Sequence, residues 1–280
     1  MIRNTFSKII WKIGRSSTFR RIANYIGVND QLNNAFNRIL LTTVNDPVTV
    51  GIGDSNARFR LTTTSEYSIL NEQSESNIIT DIISRVKEDD VFWDVGANIG
   101  LYTCLVAPKV STVVSFEPFP GNVSRLRENV SLNDLDGRVE VHEYALSDKS
   151  KTGRLQILND NVGTGQNRIL SNGGQSGGEI EIEERSGDDL VREGIPSPTI
   201  LKIDVEGVEL KVLNGFKETL SEARLVYCEV HDDRVADKSK TEIAEKLGEH
   251  GFEVETALDR GDQTILRATE ESDVTGTVSR

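Results

Sequence analysis

The segment Val91–Gly100 constrains the fold of this chain more than any other stretch. It begins with apolar residues typical of a buried strand and breaks at a turn bounded by Gly96 and Gly100. An apolar run at helical spacing follows at once and reaches Val106. Glycine in such a strand–turn–helix unit lets backbone N–H groups approach a ligand closely. The segment therefore predicts an α/β sheet with a ligand site at this turn.

The residues of the turn favour S-adenosylmethionine over a dinucleotide. Their spacing is Asp-x-Gly-x-Asn-x-Gly, whereas dinucleotide sites have Gly-x-Gly-x-x-Gly. An acidic side chain before the turn repels a phosphate but attracts the ammonium group of an amino-acid-bearing cofactor. We therefore predict that Asp94, Gly96, Asn98 and Gly100 bind this cofactor. The two glycines would make room for its methionine part, and Asp94 would order the loop or meet the ammonium group.

Strands and helices alternate after the turn, which predicts an α/β fold with a doubly wound, mainly parallel, seven-stranded sheet. The strand candidates are Val91–Val95, Thr112–Phe116, Val139–Tyr144, Ile200–Val205, Leu225–Val230, Phe252–Thr256 and Thr264–Arg267. Helices are expected near residues 99–107, 119–132, 208–222 and 239–250. The last two strands are too close for a crossover helix and must form an antiparallel hairpin. A terminal antiparallel strand is typical of the Rossmann-like class I methyltransferase fold and unusual in dinucleotide dehydrogenases.

The regions outside this core divide the chain further. Residues 1–75 are expected to form an extension with a basic amphipathic helix and a small β-hairpin over residues 44–65. The core domain would span residues 76–270, with an insertion at 150–198, and residues 271–280 would form a flexible tail. The first 29 residues hold six basic and no acidic side chains, a pattern that suits an anionic membrane surface. Packing on the domain or on a partner is the alternative.

Composition narrows the partners and the compartment. The net charge of −13 argues against bulk nucleic-acid binding, because phosphate contacts need a basic face. The apolar runs are too short for a transmembrane helix, and the two cysteines form neither a disulfide framework nor a zinc pattern. We expect a cytoplasmic protein, peripheral at the inner face of the membrane if its basic segment binds lipid. The sequence predicts no oligomeric state.

A second acidic position lies at the end of the next strand. Glu117 follows Phe116 about 20 residues beyond the glycine turn, where an acidic side chain can accept both ribose hydroxyls of an adenosine. The carboxyl ends of neighbouring parallel strands meet at one edge of the sheet. Glu117 is therefore predicted to bind the cofactor together with the turn.

Charged residues also end the two later strands. Ile200–Val205 has the apolar pattern of a buried strand but contains Lys202, and Asp204, Glu206 and Glu209 follow closely. Charges there are costly unless they are paired or functional. His231 closes the next strand, where it can act as a general base. We predict that Asp204, Glu206 and His231 are catalytic. An internal lysine–carboxylate pair, an acidic helix start and a structural histidine are the alternatives.

In their order along the chain, these segments resemble the FkbM family of S-adenosylmethionine-dependent methyltransferases. The matching segments are Asp94–Gly100, Phe116–Pro118, Asn129 and Asn133 at a helix end, Tyr144–Asp148, Lys202–Gly207 with Glu209, and Glu229–His231. The resemblance covers about residues 90–255. It implies O-methylation, commonly of sugar or polyketide hydroxyls, and adds Asp148 to the residues expected at the cofactor.

The predicted function is therefore methyl transfer to a hydroxyl or carboxyl of a sugar, glycan or other small molecule. His231 or Asp204 would be the base, and Glu206 would orient the acceptor. The paired carboxylates could instead hold a divalent cation that polarises the acceptor. The competing functions are an NAD-dependent dehydrogenase or epimerase and a methyltransferase-like scaffold that has lost its chemistry.

Overall fold

A computed structural model describes residues 46–157, 162–163, 168–169, 178–231, 236–261 and 263–270, together with residues 39, 41 and 42. The basic helix expected within residues 1–29 and the flexible tail expected at 271–280 lie outside the described residues. In the part of the chain that is described, no helix combines the length and the hydrophobicity needed to cross a membrane.

The described chain alternates strands and helices from Val91 onward, as predicted. The strands are β1 Val48–Ile52, β2 Ser55–Phe59, β3 Val91–Val95, β4 Thr112–Phe116, β5 Val139–His142, β6 Ala145–Leu146, β7 Lys151–Ile157, β8 Arg168–Ile169, β9 Gly178–Arg185, β10 Ile200–Ile203, β11 Leu225–His231, β12 Phe252–Asp259 and β13 Gln263–Glu270. The helices are α1 Thr64–Leu70, α2 Gln73–Arg85, α3 Leu101–Val106, α4 Pro120–Leu132, α5 Gly187–Arg192, α6 Glu209–Asn214 and α7 Ala236–Gly248. Short 3₁₀ turns occupy Ala107–Lys109 and Thr219–Glu222.

The predicted seven-stranded sheet is confirmed, with the order β12-β13-β11-β10-β3-β4-β5. The five strands from β5 to β11 are parallel, and β13 pairs antiparallel with both β11 and β12. The terminal hairpin expected from the short connection is therefore present. The chain builds the sheet outward from β3 in one direction and from β10 in the other. The boundary between β3 and β10 is the point where such sheets bind ligands.

Alternating side chains of the strands supply two separate cores. Phe92 belongs to the core on one face, together with apolar residues of α2, α3 and α4. Its neighbour Trp93 belongs to the other core, with residues of α5, α6 and α7. This follows from the period of two along a strand, which sends successive side chains to opposite faces. Because helices cover both faces, the strand ends are the part of the sheet left open to a ligand.

Two smaller sheets accompany the main one. β1 and β2 form the predicted hairpin, and Asn133 at the end of α4 exchanges two hydrogen bonds of 2.7 Å with the backbone of Arg58. Asn129, one turn earlier, accepts from Arg60 N and donates to Ile99 O. The hairpin is thus tied to the turn after β3. The insertion contributes β7, β8 and β9 to a four-stranded sheet in the order β6-β9-β7-β8.

The structure departs from the single helix expected over residues 208–222. α6 ends at Asn214, and a Cβ on Gly215 would lie 2.1 Å from Ser147 O, so the chain passes close to the insertion here. The buried carboxylate of Asp188 accepts from the backbone N–H groups of residues 217–219, at 2.9 to 3.3 Å. These bonds replace helical ones, so the segment continues as a 3₁₀ turn.

Candidate functional site

A cleft of about 500 Å³ opens at the carboxyl ends of the central strands. It brings together six of the predicted site residues: Gly96, Asn98, Glu117, Asp204, Glu206 and His231. Asp94, Gly100 and Asp148 are not among the residues that line it. Asp148 is exposed, and its carboxylate accepts from the neighbouring Ser147 hydroxyl at 3.2 Å. The structure therefore offers no support for Asp148 at the cofactor, and its role rests on the resemblance alone.

Asp94 lies beneath the turn and is completely buried. Its Oδ2 accepts from the backbone N–H of Thr103 at 3.1 Å and from the Thr103 hydroxyl at 2.7 Å. Its Oδ1 faces Lys202 Nζ at 3.2 Å. Of the two roles considered for Asp94, this geometry fits the ordering of the loop, because α3 is attached to the end of β3 through these bonds.

The two glycines of the turn leave no room for a side chain. A Cβ on Gly96 would lie 1.9 Å from Asp204 O, and a Cβ on Gly100 would lie 2.4 Å from Leu126 Cδ1. Both also have positive φ, at 79° and 88°. The place of a side chain at each glycine is filled by the protein, so the fold alone already requires glycine at both positions. Gly96 still lines the cleft through its backbone.

Glu117 and Asn98 form the wall of the cleft at the end of β4. Glu117 accepts from the backbone N–H of Asn98 and of Phe119, each at 2.9 Å. Burial outweighs these hydrogen bonds and raises the pKa of Glu117 to about 7. Asn98 Oδ1 is buried and has no hydrogen-bond partner among the described residues. A carboxylate and a free amide oxygen side by side are suited to hydroxyl and amine donors of an adenosine-containing cofactor.

Lys202 joins the glycine turn after β3 to the acidic residues after β10. Its Nζ lies 3.2 Å from Asp94 Oδ1, 3.2 Å from Asp204 Oδ2 and 3.4 Å from Gly96 O. It also lies 4.6 Å from the centre of the Tyr102 ring. Burial opposes the charge of Lys202, but the two carboxylates outweigh it and raise its pKa. The internal lysine–carboxylate pair considered as a structural alternative is thus present, and both Lys202 and Asp204 line the cleft.

His231 is held in one orientation by a carboxylate behind it. Its Nδ1 lies 2.9 Å from Glu209 Oε1, while its Nε2 lies 3.9 Å from an oxygen of each of Asp204, Glu206 and Glu229. Burial disfavours the charged ring. The bond to Glu209 and the surrounding carboxylates nevertheless raise the pKa of His231 to about 9. Without a bound ligand, His231 is therefore an imidazolium at neutral pH, whereas a general base needs the neutral ring.

Asp204 has the opposite protonation state. Burial opposes its ionisation, but the charges of Lys202 and His231 outweigh burial and lower the pKa of Asp204. Its carboxylate is thus ionised at neutral pH and divides its contacts, with Oδ2 toward Lys202 and Oδ1 toward His231.

Glu229, Arg260 and Glu75 are charged residues of the cleft that were not assigned a role from the sequence. Glu229 is 7% exposed, and burial with the charges of Asp204 and Glu75 raises its pKa to about 8. Arg260 NH1 lies 3.5 Å from Glu229, and Arg260 NH2 lies 2.5 Å from Glu75. Glu229 could have been found, because residues two apart on a strand share a face and His231 was already a candidate. Arg260 comes from the terminal hairpin and Glu75 from α2, and only the tertiary fold brings them here.

Comparisons with known proteins agree with this geometry. Residues 94–254 match the model of the methyltransferase FkbM domain. Hexuronic acid methyltransferase AglP of Haloferax volcanii is 31% identical over 80% of this chain and 89% of its own length. 31-O-demethyl-FK506 methyltransferase FkbM of Streptomyces tacrolimicus is 32% identical over 61% of this chain and 75% of its own.

A third relative has a shorter match. 2-O-methyltransferase NoeI of Sinorhizobium fredii is 32% identical over 53% of this chain and 66% of its own length. The domain match covers more than half of the chain and includes the cleft residues from Gly96 to His231. The chain is a member of the FkbM family of S-adenosylmethionine-dependent methyltransferases.

Proposed function

We propose that this protein transfers a methyl group from S-adenosylmethionine to an oxygen of a sugar or glycan acceptor. The observation that carries the proposal is one cleft lined by two sets of residues. Asn98 and Glu117 form one set, and Asp204, Glu206 and His231 form the other. One side suits an adenosine and the other suits a hydroxyl-bearing molecule. The names of two relatives, a hexuronic acid methyltransferase and a 2-O-methyltransferase, support an oxygen acceptor.

The residues on the cofactor side would bind and orient the methyl donor. Glu117 would accept the ribose hydroxyls, Asn98 would offer its free side-chain oxygen, and Gly96 would contact the cofactor through its backbone. Asp94 would act from below by holding the turn in place. When bound, S-adenosylmethionine supplies a methyl group that its sulfonium has already activated. The protein therefore has to align an acceptor oxygen and remove its proton.

Asp204 is the group prepared to take that proton at neutral pH. It is ionised and faces the cleft, whereas His231 must first lose a proton of its own. Glu206, also at the cleft, would orient the acceptor. A carboxylate with a lowered pKa is a weak base for an alcohol. A divalent cation that polarises the acceptor oxygen would offset this weakness, and we include it in the proposal.

The test is methyl transfer from labelled S-adenosylmethionine to neutral sugars, hexuronic acids and lipid-linked sugars. We expect labelled product with at least one of these classes. Brief treatment with mild alkali then distinguishes a carboxyl acceptor from a hydroxyl acceptor, since methyl esters are cleaved and methyl ethers survive. Tight cofactor binding without transfer to any of them would favour the inactive scaffold. Membership of a methyltransferase family already decides against the dehydrogenase.

We also propose that the basic segment of residues 1–29 brings the protein to the cytoplasmic face of a membrane, where lipid-linked glycans would be available. The support is the run of six basic side chains with recurring apolar residues. In a flotation experiment, full-length protein should rise with vesicles that contain anionic lipid. A full-length variant with all six basic residues replaced by glutamine should stay behind. Equal partitioning of the two would refute membrane contact.

A further inference from the structure

We propose that Asp204, Glu229 and His231 bind a divalent cation of the Mg²⁺ or Mn²⁺ class beside the acceptor. One ligand atom from each residue lies within 4.8 Å of the other two. Asp204 follows β10, and Glu229 and His231 are two apart on β11, so they share one face of that strand. The donors thus come from two adjacent strand ends, which the sheet holds in a fixed relation.

The orientation of His231 is the second observation that points to a cation. Glu209 holds Nδ1 from outside the donor set, so Nε2 faces the three carboxylate oxygens. Each of these oxygens lies 3.9 Å from Nε2, too far for a hydrogen bond. Ligands that share one cation at about 2.0–2.5 Å are themselves roughly 3–4 Å apart. A carboxylate behind a histidine is also the usual support of a metal-binding imidazole.

The positively charged side chains near the three donor residues do not fully compensate the carboxylates there. Lys202 is occupied by Asp94 and by Asp204 Oδ2, which leaves Asp204 Oδ1 facing His231. Arg260 is held at 2.5 Å by Glu75 and reaches Glu229 only at 3.5 Å. A divalent cation bound at about 2.0–2.5 Å would compensate Asp204 and Glu229 at shorter range than Lys202 and Arg260 do.

The donor set suggests the class of ion and its use. Two carboxylate oxygens and one imidazole nitrogen are compatible with Mn²⁺ and Mg²⁺, and they leave positions open for water and for an acceptor oxygen. An acceptor oxygen bound there would have a lowered pKa, so the weakly basic carboxylate of Asp204 would suffice to take its proton. This role rests on the proposed methyl transfer, but the binding of the ion does not.

The test measures the binding of Mn²⁺ to the full-length protein in the absence of cofactor and acceptor. Calorimetry gives the affinity, and the paramagnetic resonance signal gives the concentration of Mn²⁺ that stays free. We expect one ion per chain, and at least tenfold weaker binding in Glu229→Gln and in Asp204→Asn. Glu209→Gln, which removes only the support of His231, should weaken binding by about 10- to 100-fold. Glu72→Gln is the matched control, because Glu72 lines the same cleft but is outside the donor set. It should bind Mn²⁺ as the wild type does.

Titration of each variant with S-adenosylmethionine shows that the variant is folded. Because this titration involves no methyl transfer, the test of the cation site is independent of the test of methyl transfer. Absence of saturable Mn²⁺ binding by a wild-type protein that binds cofactor would overturn the cation site and leave the proposed function standing. Equal Mn²⁺ affinity in the wild type, Glu229→Gln and Asp204→Asn would also overturn it. Loss of affinity confined to the donor variants and Glu209→Gln would establish the site.

Discussion

At the scale of single residues, the proposed contact of Glu117 with the cofactor predicts that cofactor binding depends on pH. The Glu117 pKa of about 7 reflects burial, which outweighs the hydrogen bonds that Glu117 accepts from the backbone of Asn98 and Phe119 and from the Asn122 side chain. Ribose hydroxyls would donate to the ionised form, so binding favours loss of the proton. S-adenosylmethionine affinity should therefore be constant above pH 7 and fall by up to about tenfold per unit below it.

Calorimetry between pH 5.5 and 8.5 measures this dependence. Glu117→Gln should bind the cofactor about 10- to 100-fold more weakly at pH 8, because a charge-assisted hydrogen bond is lost. Its affinity should also lose the inflection near pH 7. An unchanged inflection in Glu117→Gln would show that another group is responsible.

Lys202 is the residue whose loss should cost the most stability. It is 5% exposed and bridges Asp94 and Asp204, so Lys202→Met would leave Asp94 buried without its charge partner. Breaking a buried pair of this kind costs about 3–5 kcal/mol in the free energy of unfolding. Urea denaturation measures the loss. Lys109→Met, which removes only an exposed pair with Asp54, is the control and should unfold as the wild type does.

At the scale of elements, the close approach of two strand ends makes Gly96 irreplaceable. β3 and β10 are parallel neighbours, and Asp204 O occupies the place of a side chain at Gly96. Gly207 has a similar φ of 76° but nothing within 4 Å of a Cβ. Gly207→Ala should therefore cost only the backbone strain, about 1–2 kcal/mol. Gly96→Ala adds a clash with the backbone and should destabilise at least twice as much in the same denaturation experiment. Equal losses would mean that the strand ends can separate freely.

The pattern of the sequence predicts the central elements well because they obey local rules. β3 and β4 agree with prediction at both ends, since a buried parallel strand is a continuous apolar run between turns. The prediction of one helix over residues 208–222 is wrong because tertiary contacts interrupt that helix. Ser147 crowds Gly215, and the carboxylate of Asp188 takes the backbone donors that follow. Neither contact leaves a local signal, so periodicity alone extends the helix too far.

At the scale of the whole molecule, the topology explains which residues of the site can be predicted from the sequence. Glu117, Asp204 and His231 each end a predicted parallel strand, and strands of one parallel sheet end at one edge, so their grouping in the cleft follows. Arg260 reaches the same cleft from a hairpin that the antiparallel β13 adds beyond β11. The protonation of His231 could not be predicted, because it depends on four carboxylates drawn from three segments.

In the proposed function, the cleft divides into a cofactor side at β3 and β4 and a catalytic side at β10 and β11. Asp204 belongs to the second, so its replacement by asparagine should leave cofactor affinity within about threefold of the wild type. Turnover should fall by at least about 100-fold, the usual contribution of a positioned base. Glu117→Gln is the reciprocal variant and should lose cofactor affinity first.

The most direct measurement is therefore a parallel determination of S-adenosylmethionine affinity and methyl-transfer rate in the wild type, Asp204→Asn and Glu117→Gln, with an acceptor that the wild type methylates. We expect Asp204→Asn to bind the cofactor normally and to transfer almost nothing, and Glu117→Gln to bind the cofactor weakly. Transfer by Asp204→Asn at the wild-type rate would show that Asp204 is not the base.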